Sequence, residues 1–211
     1  MGRVVAARQK PAVDDPVSPL KSRCNIFGIG SNATFEIIIV IAVILALAIA
    51  TVLIFAARKP DTLRVTRSMR VTAPAETIFP LINDFRQWGG WSPYEHKDPA
   101  MKRSYSGAES GKGAVYAWDG NNNVGSGRME ILEIQPPSRI VIKLDFIRPF
   151  EGHNTAEFTM LPQGDATNLT WTMVGPAPLM SRLMQVFINL DQMIGKDFEA
   201  GLASLKKLTE K

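Results

Sequence analysis

The chain has 211 residues, with 24 Lys and Arg against 20 Asp and Glu, a formal charge of +4. That length suits one ordinary domain plus an accessory segment, and 45% hydrophobic with 8% aromatic residues exclude a disordered or fibrous chain. A single cysteine, Cys24, excludes an internal disulfide framework and a Cys-rich metal site, and two histidines leave too few ligands for a His-based zinc centre.

Residues 1–34 are polar, carry Pro11, Pro16, Pro19, Gly28 and Gly30, and show no sustained periodicity, which predicts a flexible tail. Residues 35–58 follow as a predicted transmembrane helix. Its centre, Ile37–Ala57, has 21 residues, no charge and one weakly polar group, Thr51. A helix of that length spans roughly 31 Å, the thickness of a bilayer's hydrocarbon core. Seven Ile, three Val, three Leu and Phe55 together favour insertion by roughly 4–8 kcal/mol. The β-branched residues would favour a strand in water, but an open strand in lipid leaves its backbone groups unpaired. A soluble core helix would show a polar stripe, and about 36 residues precede this one, too many for a cleaved leader.

Arg58, Lys59, Arg64, Arg67 and Arg70 follow the helix closely, against Lys21 and Arg23 before it. Positive-inside counting therefore assigns the C-terminal part to the cytoplasm of a single-pass membrane protein. Five basic residues in 1–36 pull the other way. Segment 1–59 holds seven basic and three acidic residues, whereas 60–211 holds 17 of each. The net positive charge thus belongs to the anchor and its flanks, where it meets anionic headgroups. A neutral globular part offers no field for a polyanion, so nucleic acid is not an expected partner.

Residues 59–63 read as a linker and 64–211 as the folded domain. Leu63–Val71 alternates as a strand with Leu63, Val65, Met69 and Val71 on one face and Arg67 as the exception. Ala73-Pro74-Ala75-Glu76 opens a helix, since proline lacks an N–H that the first turn would leave unpaired and Glu76 complements the positive helix end. A further turn over Asp84–Trp88 meets Gly89-Gly90, suited to a left-handed cap. Six more strands are predicted at 102–105, 114–119, 127–135, 139–147, 155–161 and 168–174, with a hairpin signal at Asp119-Gly120-Asn121-Asn122. Leu169, Trp171 and Met173 alternate with Thr170 and Thr172, as in an antiparallel sheet with one solvated face. From Leu179 to Lys207 the apolar positions step by three and four, predicting one amphipathic helix of about 29 residues and roughly 43 Å. Gly195 and Gly201 inside it each cost about 1 kcal/mol against alanine. Close helix–sheet packing, or room left for a guest, would offset that cost.

The succession of one strand, two short helices, six strands and a long helix resembles the START-like, or SRPBCC, superfamily, which includes polyketide cyclase/dehydrase-type and lipid-transfer proteins. The resemblance runs over residues 64–208. It rests on Val71-Thr72-Ala73-Pro74-Ala75-Glu76-Thr77-Ile78-Phe79, Asp84-Phe85-Arg86-Gln87-Trp88, Trp91-Ser92-Pro93, Tyr105-Ser106-Gly107, Gly111-Lys112-Gly113-Ala114, Tyr116-Ala117-Trp118, Thr167-Asn168-Leu169-Thr170-Trp171 and Phe198-Glu199-Ala200-Gly201-Leu202. It implies an α+β helix-grip fold, a curved antiparallel sheet of about seven strands wrapped on the C-terminal helix around an apolar cavity. It does not extend to the tail and anchor, and one such fold hosts many activities.

No catalytic or metal-binding residue is expected. Gly107 and Gly111 are separated by three residues, and Gly113 stands where a phosphate loop needs Ser or Thr. His96 and His153 lie in polar loop-like surroundings, as solvated histidines do. The expected cavity residues are Trp88, Trp91, Tyr116, Trp118, Met129, Leu144, Phe146, Phe158, Trp171, Phe187 and Phe198, chosen as large apolar or amphipathic side chains on inward faces. Met129, Met173 and Met193 would adapt to an irregular guest, although methionine as a gap filler is commoner.

These features predict a domain tethered to the membrane by Ile37–Ala57 that binds a hydrophobic small molecule or lipid and uses no cofactor. The alternatives are a cyclase, dehydratase or hydrolase working in the same cavity, or a scaffold with a filled interior. Two convergent titratable groups in an open cavity would favour the enzyme, purely apolar walls the carrier, and a closed interior the scaffold.

Overall fold

The computed structural model of the chain describes residues 29–210. Residues 1–28 of the predicted tail, Cys24 among them, lie outside that range. The first helix, α1 (Ile29–Ala57), begins six residues before the predicted boundary. Its apolar part, Ala33–Ala57, has a mean hydropathy of 3.4, and it is the one helix among the described residues long and apolar enough to cross a membrane.

The domain that follows has strands β1 (Thr62–Val71), β2 (Lys102–Gly107), β3 (Ala114–Asp119), β4 (Ser126–Gln135), β5 (Arg139–Arg148), β6 (Gly152–Gln163) and β7 (Ala166–Pro176). They form a seven-stranded sheet in the order β1-β7-β6-β5-β4-β3-β2. Every neighbouring pair is antiparallel. Consecutive strands from β2 to β7 thus pair as a meander, and β1 returns to the free edge of β7. Register shifts in β4 at Ser126/Gly127 and Ile131/Glu133 bend the strand, because each extra residue locally raises the twist.

Between β1 and β2 lie α2 (Ala75–Asn83), a 3₁₀ turn (Phe85–Gly90) and α3 (Pro93–Lys97). Pro74 caps α2 from outside in extended geometry, which its fixed φ permits. The Asp84 side chain accepts the Arg86 N–H at 2.9 Å and starts the 3₁₀ turn. Gly89 and Gly90 belong to that turn; neither has positive φ, so the expected left-handed cap is not formed. The chain instead closes with the Trp91 and Ser92 N–H groups both donating to the Trp88 carbonyl.

The predicted single C-terminal helix is two, α4 (Leu179–Phe187) and α5 (Leu190–Thr209). The Asn189 side chain accepts the Gln192 N–H at 3.0 Å. It therefore nucleates a fresh helix start rather than continuing the old one. Apolar periodicity alone does not register such a break, because residues on either side keep the same spacing.

The core fills the concave side of the sheet. Val65, Ile131, Ile142, Phe158, Met160 and Leu169 meet Ile78 and Ile82 of α2 and Phe198, Leu202 and Leu205 of α5, all buried. Arg67, the exception on β1, is explained by Gly195. A Cβ there would stand 1.9 Å from the Arg67 guanidinium, so the missing side chain lets Arg67 reach across α5 to Asp191 at 3.0 Å and Glu199 at 2.8 Å. A Cβ on Gly201 would meet Trp171 at 3.0 Å and Pro93 at 3.2 Å. Both glycines serve close packing, and neither lines the cavity described next.

Candidate functional site

A cavity of about 310 Å³ lies between the sheet, α3 and α5. At about 30 Å³ per water it has the volume of roughly ten waters, near the small end of ligand pockets. Its walls come from β3 to β7, α5, and the segment from Trp88 to Met101.

Eight of the expected residues line it: Trp88, Tyr116, Trp118, Met129, Leu144, Phe146, Trp171 and Phe198. Each is placed by strand alternation or by the helix face that meets the sheet. Trp171 stacks on Phe198 with ring centres 4.0 Å apart and planes at 5°. The Trp88 and Trp118 indoles are pinned by N–H bonds to the carbonyls of Ile82, at 3.0 Å, and Val124, at 3.1 Å. Gly127 makes the Trp118 position possible, since a Cβ there would stand 2.5 Å from its ring.

Three expected residues are elsewhere. Trp91 is fully buried, its N–H donating to the Leu81 carbonyl at 2.9 Å. Phe158 is fully buried with its ring against Trp88, Trp91 and Trp171. Both are core floor rather than cavity wall. Phe187 ends α4 and is 75% exposed, because the helix break removes it from the inward face of α5. Of the methionines, Met129 and Met173 line the cavity, while Met193 is exposed.

The sequence reading missed the polar part of the site. Glu95 on α3 is buried and lines the cavity. Tyr116 donates its hydroxyl to Glu95 Oε1 at 2.5 Å, and Arg103 Nε donates to Oε2 at 2.7 Å. Arg103 also donates to the carbonyls of Met101 and Pro99. Burial, reinforced by the Glu95 carboxylate, pushes the Tyr116 phenol above its ordinary range, so it keeps its proton at neutral pH. The Glu95 bond likewise raises Arg103. The pattern Ser92-Pro93-Tyr94-Glu95, a Ser followed three residues on by Glu with Pro first in the helix, was a legible helix start. Glu95 turns inward to Tyr116 and Arg103, and Ser92 makes no side-chain cap bond.

His96 and His153 are exposed, and His153 Nδ1 lies 2.8 Å from Asp145 Oδ1. Among the described residues no three His, Cys, Asp or Glu side chains converge as metal ligands would. The Trp171 indole nitrogen is buried with no hydrogen-bond partner.

This is a helix-grip domain with a hollow, mainly apolar interior and one buried polar cluster in its wall. The chain belongs to the family described as polyketide cyclase / dehydrase and lipid transport, whose profile matches residues 62–210. The fold is similar to that of protein CV1439 from Chromobacterium violaceum, at TM-score 0.51 and 17% identity over 72% of this chain and 99% of that one. It is also similar to the di-domain ARO/CYC BexL from the BE-7585A biosynthetic pathway, at TM-score 0.55 and 14% identity over 74% of this chain and 53% of that one. The ginseng major latex-like protein 151 from Panax ginseng gives TM-score 0.51 and 11% identity over 71% of this chain and 99% of that one. At such identities the likeness concerns the fold alone. No curated protein matches the chain.

Proposed function

We propose that the protein is a membrane-tethered binding domain for a small, mostly hydrophobic molecule held in this cavity. The observation that carries this is the 310 Å³ hollow walled by Trp88, Trp118, Met129, Leu144, Phe146 and Trp171. Burying a guest's apolar surface there supplies affinity at about 25 cal/mol per Å² before the cost of association. That volume accommodates a single small guest rather than a two-chain phospholipid. An anchor formed by α1 would keep the cavity beside a reservoir of apolar molecules and raise their effective concentration. On basic flank counting the domain lies in the cytoplasm.

The Glu95–Tyr116 pair favours a second reading, a cyclase- or dehydratase-type enzyme. The phenol and the carboxylate are bonded to each other, and Arg103 holds the carboxylate from the other side. Each oxygen of that carboxylate already accepts a hydrogen bond from the protein, so neither group can act on a guest without first breaking one. Binding therefore stands ahead of catalysis. Native mass spectrometry of residues 60–211, exposed to mixed membrane lipid extract and freed of detergent, tests it. A bound small molecule is expected, and a protein that stays empty overturns the binding reading. A bound molecule that leaves chemically changed, and leaves unchanged from Tyr116→Phe, establishes the enzyme instead.

A further inference from the structure

The strand registers place the cavity mouth and the link to α1 at the same end of the sheet. The start of β1 pairs with the end of β7, Thr62 with Pro176, and the Ala177 N–H donates to the Asp61 carbonyl at 2.6 Å. Following the pairs across, Val174 meets Thr155, Gly152 meets Phe146, Arg148 meets Ser126, and Ser126 meets Asp119. The β3–β4 and β5–β6 loops therefore lie at the end where β1 begins. These loops also hold the mouth, because the cavity-lining residues that are exposed are Asn122, Asn123, Arg148 and Pro149.

The same end displays an apolar fringe. Phe150 in the β5–β6 loop and Ile147 beside it are exposed, as are Leu179, Met180 and Phe187 of α4 and Ile188 after it. No residue of α4 is buried. Leu179, Met180 and Phe187 leave an uncovered apolar edge on this nine-residue helix, the kind of patch that marks an interaction surface. The β6–β7 turn at the far end offers Gln163, Gly164 and Asp165 instead, with Leu161 the nearest exposed apolar residue.

Only residues 58–61 separate the end of α1 from β1, a reach of at most about 18 Å. β5 is three strand spacings from β1, about 15 Å. Arg58 and Lys59 in the link suit anionic headgroups. We propose that this end of the domain seats on the bilayer that holds α1, with α4 and the β5–β6 loop in the headgroup layer and the cavity mouth open to lipid. An apolar guest then passes between bilayer and cavity without crossing water. This rests on α1 being a membrane anchor.

Single cysteines placed by Phe150→Cys, Phe187→Cys and Asp165→Cys in the full chain carrying Cys24→Ser test it, each labelled with an environment-sensitive fluorophore. All three altered domain positions are exposed, so the fold is kept. The proteins are reconstituted in phosphatidylcholine vesicles containing one-fifth phosphatidylglycerol, with or without brominated acyl chains. Labels at 150 and 187 are expected to be blue-shifted and quenched by bromine at least threefold more than the label at 165. Equal, weak quenching at all three positions in a chain that resists alkaline carbonate extraction overturns the seating while leaving the anchor intact. Dimer formation through α4 with dry but unquenched labels also overturns it. Extraction of the chain by carbonate overturns the anchor and the seating together.

Discussion

Glu95 carries the most consequence for any one side chain. It is 8% exposed and is the shared acceptor of two donors, Tyr116 and Arg103. Glu95→Ala leaves a buried hydroxyl and a guanidinium without their shared acceptor, and such truncations cost several kcal/mol. We expect a loss of about 2–3 kcal/mol in urea unfolding, discounted because Arg103 is partly solvated. Tyr116→Phe should cost only about 1 kcal/mol, since Glu95 keeps Arg103. His153 supplies a pH test. Its bond to Asp145 raises its pKa above the ordinary 6.5. A raised histidine pKa contributes stability that is fully present below pH 6.5 and is lost as pH rises through the folded value. Proton NMR should place the His153 midpoint above 6.5, and Asp145→Asn should return it toward that figure.

Among the elements, α5 shows how local preference and packing compete. Gly201→Ala improves helix propensity by about 1 kcal/mol, yet its Cβ would press on Trp171, whose ring is held between the stacked rings of Phe198 and Phe158. Overpacking typically costs about 1–3 kcal/mol, so thermal denaturation should show a net loss rather than a gain. Asn189→Ala removes the bond that starts α5 and should cost about 1 kcal/mol. The strands were legible from alternation and turn residues to within a few positions. The break at Ile188-Asn189 was not, although Asn before an acidic residue is a cap signal. The apolar steps at Leu183, Phe187, Leu190 and Ile194 masked it, and that is why Phe187 was expected in the cavity.

For the molecule as a whole, the consequential arrangement is a hollow domain joined by four residues to a helix apolar enough to span lipid. Full-length chain should sediment with membranes after carbonate washing, and deletion of residues 29–57 should release the domain folded, with its near-ultraviolet dichroism retained. A reporter fused after Lys211 should be active only when it works in the cytoplasm. Activity restricted to the other side would reverse the orientation drawn from Arg58, Lys59, Arg64, Arg67 and Arg70. Alternation puts Tyr116, Trp118, Met129 and Leu144 on one side of the sheet, where they line the hollow. Glu95 was not legible in the same way, because it sits on a five-residue helix with no periodicity of its own to read.

Composition and pattern were enough to specify an apolar span, an antiparallel sheet and an amphipathic C-terminal segment, since each follows from near-neighbour spacing along the chain. Which large side chains became wall and which became floor was decided only in three dimensions. Trp91 and Trp88 are three residues apart with the same chemistry, yet one is sealed beneath the other's ring. Likewise the partnership of Glu95, Arg103 and Tyr116 joins a helix to two strands, and contacts between elements depend on register and curvature that no local spacing encodes.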